Sequence, residues 1–167
     1  MERINEGNLI MTNIFKRLGK TGTAVATILT IITGFLALLP VYHSLTRKNL
    51  NGKWKITCNI ESSTYRTYIG KSSGFRVSFK QDGDNIKGEG ETCWIDDKEI
   101  PSSQHTIITM EGNLDGDDLY VTYVLHGARR QSSGFMKLKI VSDKEMTGTF
   151  DGTAASAKGV ASAQMLN

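Results

Sequence analysis

Between residues 61 and 73 the chain interleaves two chemistries that recognise nucleotides. Tyr65 and Tyr68 offer ring faces on which a base stacks, and Arg66 and Lys71 offer cations that pair with phosphate. A second basic pair, Arg129 and Arg130, and a tryptophan, Trp94, lie further along. Tyr65, Arg66, Tyr68, Lys71, Trp94, Arg129 and Arg130 are the expected ligand-binding set. The plain alternative makes them solvated loop residues, with Trp94 and Tyr123 in a core.

The chain offers little for catalysis. Gly70-Lys71-Ser72 resembles the end of a phosphate-binding loop, but Tyr65 stands where its first glycine belongs and no helix follows. There is no Gly-x-Ser-x-Gly nucleophile turn. His43, His105 and His126 have no metal-ligand spacing, and His105 and His126 read as solvated residues at strand ends. Asp96-Asp97 and Asp117-Asp118 read as turn residues rather than a carboxylate dyad. The expectation is a protein that is not an enzyme and uses no cofactor and no metal.

The elements that must position the binding set follow from Asn51 onward, where the apolar period becomes two. Trp54, Ile56, Cys58 and Ile60 alternate with Lys55, Thr57 and Asn59, and Phe75, Val77 and Phe79 alternate with Arg76, Ser78 and Lys80. Asp82-Gly83-Asp84-Asn85, Asp115-Gly116-Asp117 and Ser142-Asp143-Lys144 read as tight turns. Eight strands result, at roughly 52–60, 74–81, 85–94, 105–114, 118–126, 134–141, 145–151 and 157–166. Short links imply an antiparallel up-and-down meander. Eight such strands close into a barrel, which removes exposed edges. Trp54 is expected to plug it. Cys58 and Cys93, inside strands, read as small core residues.

Three links are longer than a hairpin needs: Glu61–Ser73, Ile95–Gln104 and Gly127–Ser133. In an alternating meander the links after strands 1, 3, 5 and 7 lie at one end. All three long links belong to that class, so they should share a rim, where barrels bind ligands. The small residues of Ala154–Ala163 would leave room inside.

Upstream of the barrel, Thr23 to Tyr42 is a run of twenty residues with no charge. At about 1.5 Å per residue it reaches about 30 Å, one hydrocarbon core. It is longer than a signal-peptide core and no A-x-A site follows, so an uncleaved anchor is expected. Thr23, Thr27, Thr30, Gly34 and Ala37 form one helical stripe of small residues, the expected self-association face. The expected organisation is an N-terminal segment over 1–20 that could lie at the membrane interface as a helix, a transmembrane helix over 21–45 and a ligand-binding barrel over 49–167. Arg47, Lys48, Lys53 and Lys55 outnumber Lys16, Arg17 and Lys20 by one, which places the barrel on the cytoplasmic side.

Charge bears on the partners. Residues 1–48 hold six Lys and Arg against two Glu, whereas the remainder holds fourteen basic and fifteen acidic side chains. The positive excess therefore flanks the apolar run, where it meets anionic lipid. A binder of polymeric nucleic acid would carry it on the folded domain. A small anionic ligand needs only a few local cations.

Asn51-Gly52-Lys53-Trp54, opening an eight-strand meander, resembles the Gly-x-Trp start of lipocalin-like barrels. With a membrane segment ahead of it, the architecture is similar to the two-transmembrane, β-strand-rich effectors of bacterial anti-phage signalling systems of the CBASS type. That resemblance implies a barrel that binds a cyclic oligonucleotide, a cyclic di- or trinucleotide. Its ligand state would control homo-oligomerisation of the membrane segments and disruption of the bacterial inner membrane. It transfers no binding residue by position. The chain departs from the family in having one apolar run rather than two. Two alternatives stand beside it: an anchored periplasmic lipocalin-like carrier of an apolar ligand, which would permit a Cys58–Cys93 disulfide, and a structural envelope protein with a filled barrel.

Overall fold

Among the described residues nine strands follow one another, and each ladder is antiparallel. The structure is a computed structural model that describes residues 48–128 and 130–166. The strands are β1 (Gly52–Ser62), β2 (Ser72–Asp82), β3 (Asn85–Ile95), β4 (Lys98–Glu99), β5 (Ile107–Asp115), β6 (Asp118–His126), β7 (Gln131–Ser142), β8 (Glu145–Gly152) and β9 (Lys158–Met165). β4 is a two-residue strand that folds back on the end of β3. The other eight pair in sequence order, and β9 returns to β1, so the sheet closes into an up-and-down barrel. The expected eight-stranded meander is thus observed. Residues 1–20, the apolar segment 21–45 with its small-residue stripe, and Arg129 lie outside the described residues. Among the described residues no helix is long and apolar enough to cross a membrane.

Alternation turns one face of each of the eight barrel strands inward. Trp54, Ile56, Val77, Phe79, Ile86, Ile108, Leu119, Val121, Leu138 and Met146 are all buried in one core cluster. Large side chains fill the end where the turns are tight. There the Trp54 indole N–H donates to the Leu50 carbonyl at 2.9 Å, and Leu50 itself is buried, so tryptophan and leucine together plug that end. Gln81 holds the plug in place. Its Oε1 accepts from the Leu50 N–H, and its Nε2 donates to the carbonyls of Lys48 and Gly83.

Two links differ from expectation. β7 starts at Gln131, because Gln131, Ser132 and Ser133 pair with His126, Leu125 and Val124 of β6. The polar Gln-Ser-Ser run reads as loop by composition, but an available neighbouring strand overrides weak β-propensity. The Ile95–Gln104 link holds β4, turned by Asp96 and Asp97, both at positive φ (49° and 59°). Asp tolerates this region better than most residues, as a two-residue hairpin turn demands.

Candidate functional site

The end opposite the plug is open, and small residues from the β8–β9 link form part of its lining. The links β1–β2, β3–β5, β6–β7 and β8–β9 all emerge there, as the meander requires. Below them lies a cavity of about 330 Å³. Its wall is mostly apolar: Cys58, Ile60, Phe75, Tyr123, Leu125 and Phe150, with Ala154, Ala155 and Ala157 from the β8–β9 link. Ser73, Ser132 and Ser133 add hydroxyls, and Tyr65, Tyr68 and Arg130 stand at the mouth. No carboxylate lines it among the described residues.

Tyr123 defines the inner wall. It pairs with Gly134, which pairs with Gly152, so the three form one inward row across β6, β7 and β8. A Cβ at Gly152 would fall 2.6 Å from the Tyr123 hydroxyl, and one at Gly134 would fall 2.3 Å from it. The two glycines are the slot in which this phenol lies. Burial raises the Tyr123 phenol above its ordinary pKa and pushes the Cys58 thiol to about 12. Both are neutral hydrogen-bonding groups at physiological pH.

Backbone geometry ties the links at the mouth together. Ala155 and Ser156 adopt positive φ (56° and 45°) in the β8–β9 link. That turn aims the Ala155 carbonyl at the β1–β2 link, where it accepts from the Thr64 N–H at 2.8 Å and the Ser63 hydroxyl at 3.0 Å. Thr153 clamps the same link to β7, its Oγ1 accepting from the Ser133 N–H and donating to the Ser133 carbonyl. Tyr65, which caps a short 3-10 turn, and Tyr68, its last residue, meet edge to face at 6.1 Å and remain exposed.

The expected binding residues separate into three groups. Tyr65, Tyr68 and Arg130 come together at the cavity mouth. Arg66 is exposed beside them but does not line the cavity. Lys71 and Trp94 are turned to other work. The Lys71 ammonium pairs with Asp96 at 3.0 Å, tying the start of β2 to the β3–β4 turn. Trp94 faces outward from the barrel, where Lys55 and Arg76 lie over its ring at 4.7 and 5.2 Å. A β-bulge causes this. Gly74 pairs with Trp94 but Phe75 pairs with Thr92, so Cys93 is an extra residue and Trp94 shifts to the outer face. Tyr123 is in the core as the plain alternative had it, and Ala154, Ala155 and Ala157 fall in the small-residue stretch expected to leave room inside, but Ser132 had no signal in the sequence, and the Tyr123–Gly134–Gly152 row appears only once the register is known.

His105, expected to be solvated, is instead held by its neighbours. Its ring is mostly buried, with Nδ1 3.0 Å from a Glu91 carboxylate oxygen and Nε2 3.1 Å from the Ile100 carbonyl. Cys93 is a buried free thiol outside the core cluster, with Sγ 3.7 Å from Glu91. The donor atoms of Glu91, Cys93 and His105 all lie within 4.8 Å of one another. The His105 hydrogen bond holds the Glu91 carboxyl below its ordinary range, and Glu91 in turn raises His105. His126, by contrast, is exposed and bonds Thr109.

No protein-family model matches the chain, and no curated protein matches it. Solved structures share its fold. A redesigned beta barrel, b11L5F_LGL, superposes with a TM-score of 0.55 at 12% identity, covering 71% of this chain and 92% of that one. EF1p2_mFAP2b bound to DFHBI gives 0.53 at 12% identity over 71% and 94% of the two chains. The redesigned barrel mFAP1 bound to DFHBI gives 0.52 at 13% over 70% and 94%. At such identities the likeness shows the closed antiparallel barrel and nothing finer.

Proposed function

We propose that this protein is a membrane-anchored anti-phage effector whose barrel is a receptor for a cyclic di- or trinucleotide. The observation that carries the reading is the cavity mouth. The Arg130 guanidinium and two exposed tyrosine rings stand over a cavity that contains no carboxylate among the described residues. Among those residues no acidic side chain pairs with Arg130, so its charge is available to a phosphate.

Size constrains the binding mode. Ligand pockets span about 300–1,000 Å³, so a cavity of about 330 Å³ is at the small end. It takes one base, between Phe75, Tyr123 and Phe150. The rest of a cyclic dinucleotide then lies across the rim, with a phosphate on Arg130 and a second base against Tyr65 or Tyr68. Binding there ties the β1–β2, β6–β7 and β8–β9 links together. Ligand state then controls self-association of segment 21–45 and damage to the bacterial inner membrane.

A second reading has its own observation. Ile60, Phe75, Leu125 and Phe150 make the cavity wall as suited to an apolar guest as to a base, as in an anchored carrier. Calorimetry separates the two, using residues 48–167, which form a compact unit with a closed core. One member of a panel of cyclic di- and trinucleotides should bind at micromolar affinity or better. Arg130→Ala should weaken it about tenfold, roughly 1.4 kcal/mol, in the range of one charge-assisted hydrogen bond. A folded barrel that binds no nucleotide but takes up an apolar fluorescent probe would establish the carrier instead.

A further inference from the structure

We infer that Glu91, Cys93 and His105 form a binding site for a single Zn²⁺ ion on the outer face of the barrel, independent of the rim cavity. The inference starts from an electronic mismatch. The Ile100 carbonyl can only accept, so the His105 nitrogen 3.1 Å away, Nε2, must carry a proton. In a neutral ring that leaves Nδ1 as a lone pair, and it faces a carboxylate oxygen of Glu91 at 3.0 Å. Two acceptors do not approach that closely without a positive centre between or beside them. That centre is either a second ring proton or a metal ion.

The third donor favours the metal. Cys93 Sγ lies 3.7 Å from the Glu91 carboxylate, and all three donor atoms fall within 4.8 Å of one another. In the metal-free chain the Cys93 thiol donates to Glu91 at 3.7 Å, and a metal would replace that proton on the sulfur. Around a four-coordinate zinc ion, with bonds of about 2.0–2.3 Å, neighbouring donors sit about 3.3–3.7 Å apart. Cys93 Sγ lies 3.7 Å from Glu91 Oε1 and His105 Nδ1 lies 3.0 Å from Glu91 Oε2, so the carboxylate bridges the two other donors through its two oxygens, and a bound ion would draw the set, now within 4.8 Å, closer together.

The surroundings fit as well. The Nε2–H···O=C bond to Ile100 is the outer hydrogen bond that fixes a metal-bound histidine's tautomer and orientation. One thiolate and one carboxylate neutralise a divalent ion, and Arg76, 3.7 Å from Glu91, retains Glu99 at 3.9 Å as a counter-charge. Three protein ligands leave a fourth position for water. The bulge that displaces Cys93 from the β-ladder brings its thiol beside Glu91, and the β3–β5 link returns His105 to complete the set. Bound metal would therefore pin that link to the barrel wall.

Cobalt titration of the tag-free full chain in detergent tests this, because Co²⁺ reports both geometry and thiolate ligation. The expected result is one Co²⁺ per chain, with the visible bands of a four-coordinate ion and a thiolate charge-transfer band. One equivalent of Zn²⁺ should abolish both. The charge-transfer band should vanish in Cys93→Ser and persist in Cys58→Ser, and His105→Gln should bind Co²⁺ at least tenfold more weakly. If Cys93→Ser does not fold, the His105→Gln affinity decides alone. A folded wild-type chain with no such spectrum, an unchanged band in Cys93→Ser, or unchanged affinity in His105→Gln would leave only a proton-bridged ion pair and overturn the proposal.

Discussion

Gly152 and Tyr123 show how single atoms shape this cavity. The hydroxyl of Tyr123 occupies the space a Cβ at position 152 would need, at 2.6 Å, while the nearest ring carbon is 3.9 Å away. Gly152→Ala should therefore cost about 1–3 kcal/mol, the usual penalty of overpacking a close contact. Tyr123→Phe removes only the clashing oxygen. In the double variant the denaturation midpoint should recover, with a coupling of at least about 1 kcal/mol. Additive losses would show that the phenol does not lie over Gly152. Gly134 allows no such rescue, because its Cβ would also meet the Asp151 carbonyl at 2.4 Å. None of this row is conspicuous in the sequence. Tyr123 sits in an ordinary alternating strand, and the two glycines lie 18 residues apart.

At the level of elements, two devices hold the barrel's ends. At the plugged end Leu50 is buried against Trp54 and its N–H is held by Gln81. Leu50→Ala should destabilise residues 48–167 by about 3 kcal/mol in urea unfolding, as for other leucines removed from a tight core. A loss below about 1 kcal/mol would mean that the segment entering β1 is not part of the core. At the open end, Asp96 joins the β3–β4 turn to β2. The Ser72 N–H, and after it Lys71, holds the Asp96 carboxyl below its ordinary 3.8. A depressed carboxyl stabilises the fold above its unfolded pKa, and that stabilisation fades as pH falls through its lower folded value. Asp96→Asn should thus be less stable than wild type at neutral pH, and the gap should close in acid below pH 3.8. A gap that stays constant with pH would assign the effect to the turn conformation rather than to the charge.

For the whole molecule, the apolar run and the barrel make separable predictions. The full chain should remain in the membrane pellet after an alkaline wash, and residues 48–167 should be released with an unchanged unfolding temperature. Under the proposed function, Gly34→Leu in the full chain should block close helix packing and abolish toxicity to the host cell while leaving nucleotide affinity intact. Full toxicity in that variant would remove the small-residue stripe as the assembly face.

The eight barrel strands, their meander order and the shared rim were legible in the sequence, whereas the two-residue β4 was not. Strand period, tight turns and link length are local properties, and an up-and-down barrel needs no long-range information beyond them. Trp54 was legible as a plug for the same reason, being large, apolar and in phase at the start of β1. The tertiary structure alone decided which rim residues meet. Period two assigns a side chain to a face only while the register holds, and one extra residue at Cys93 turned Trp94 outward and set Cys93 beside Glu91. Lys71 could be read as a cation, but its commitment to Asp96 depended on a turn 25 residues away. Tyr65, Tyr68 and Arg130 share a cavity mouth because strand pairing across the closed sheet, rather than any local signal, sets the distance between their links.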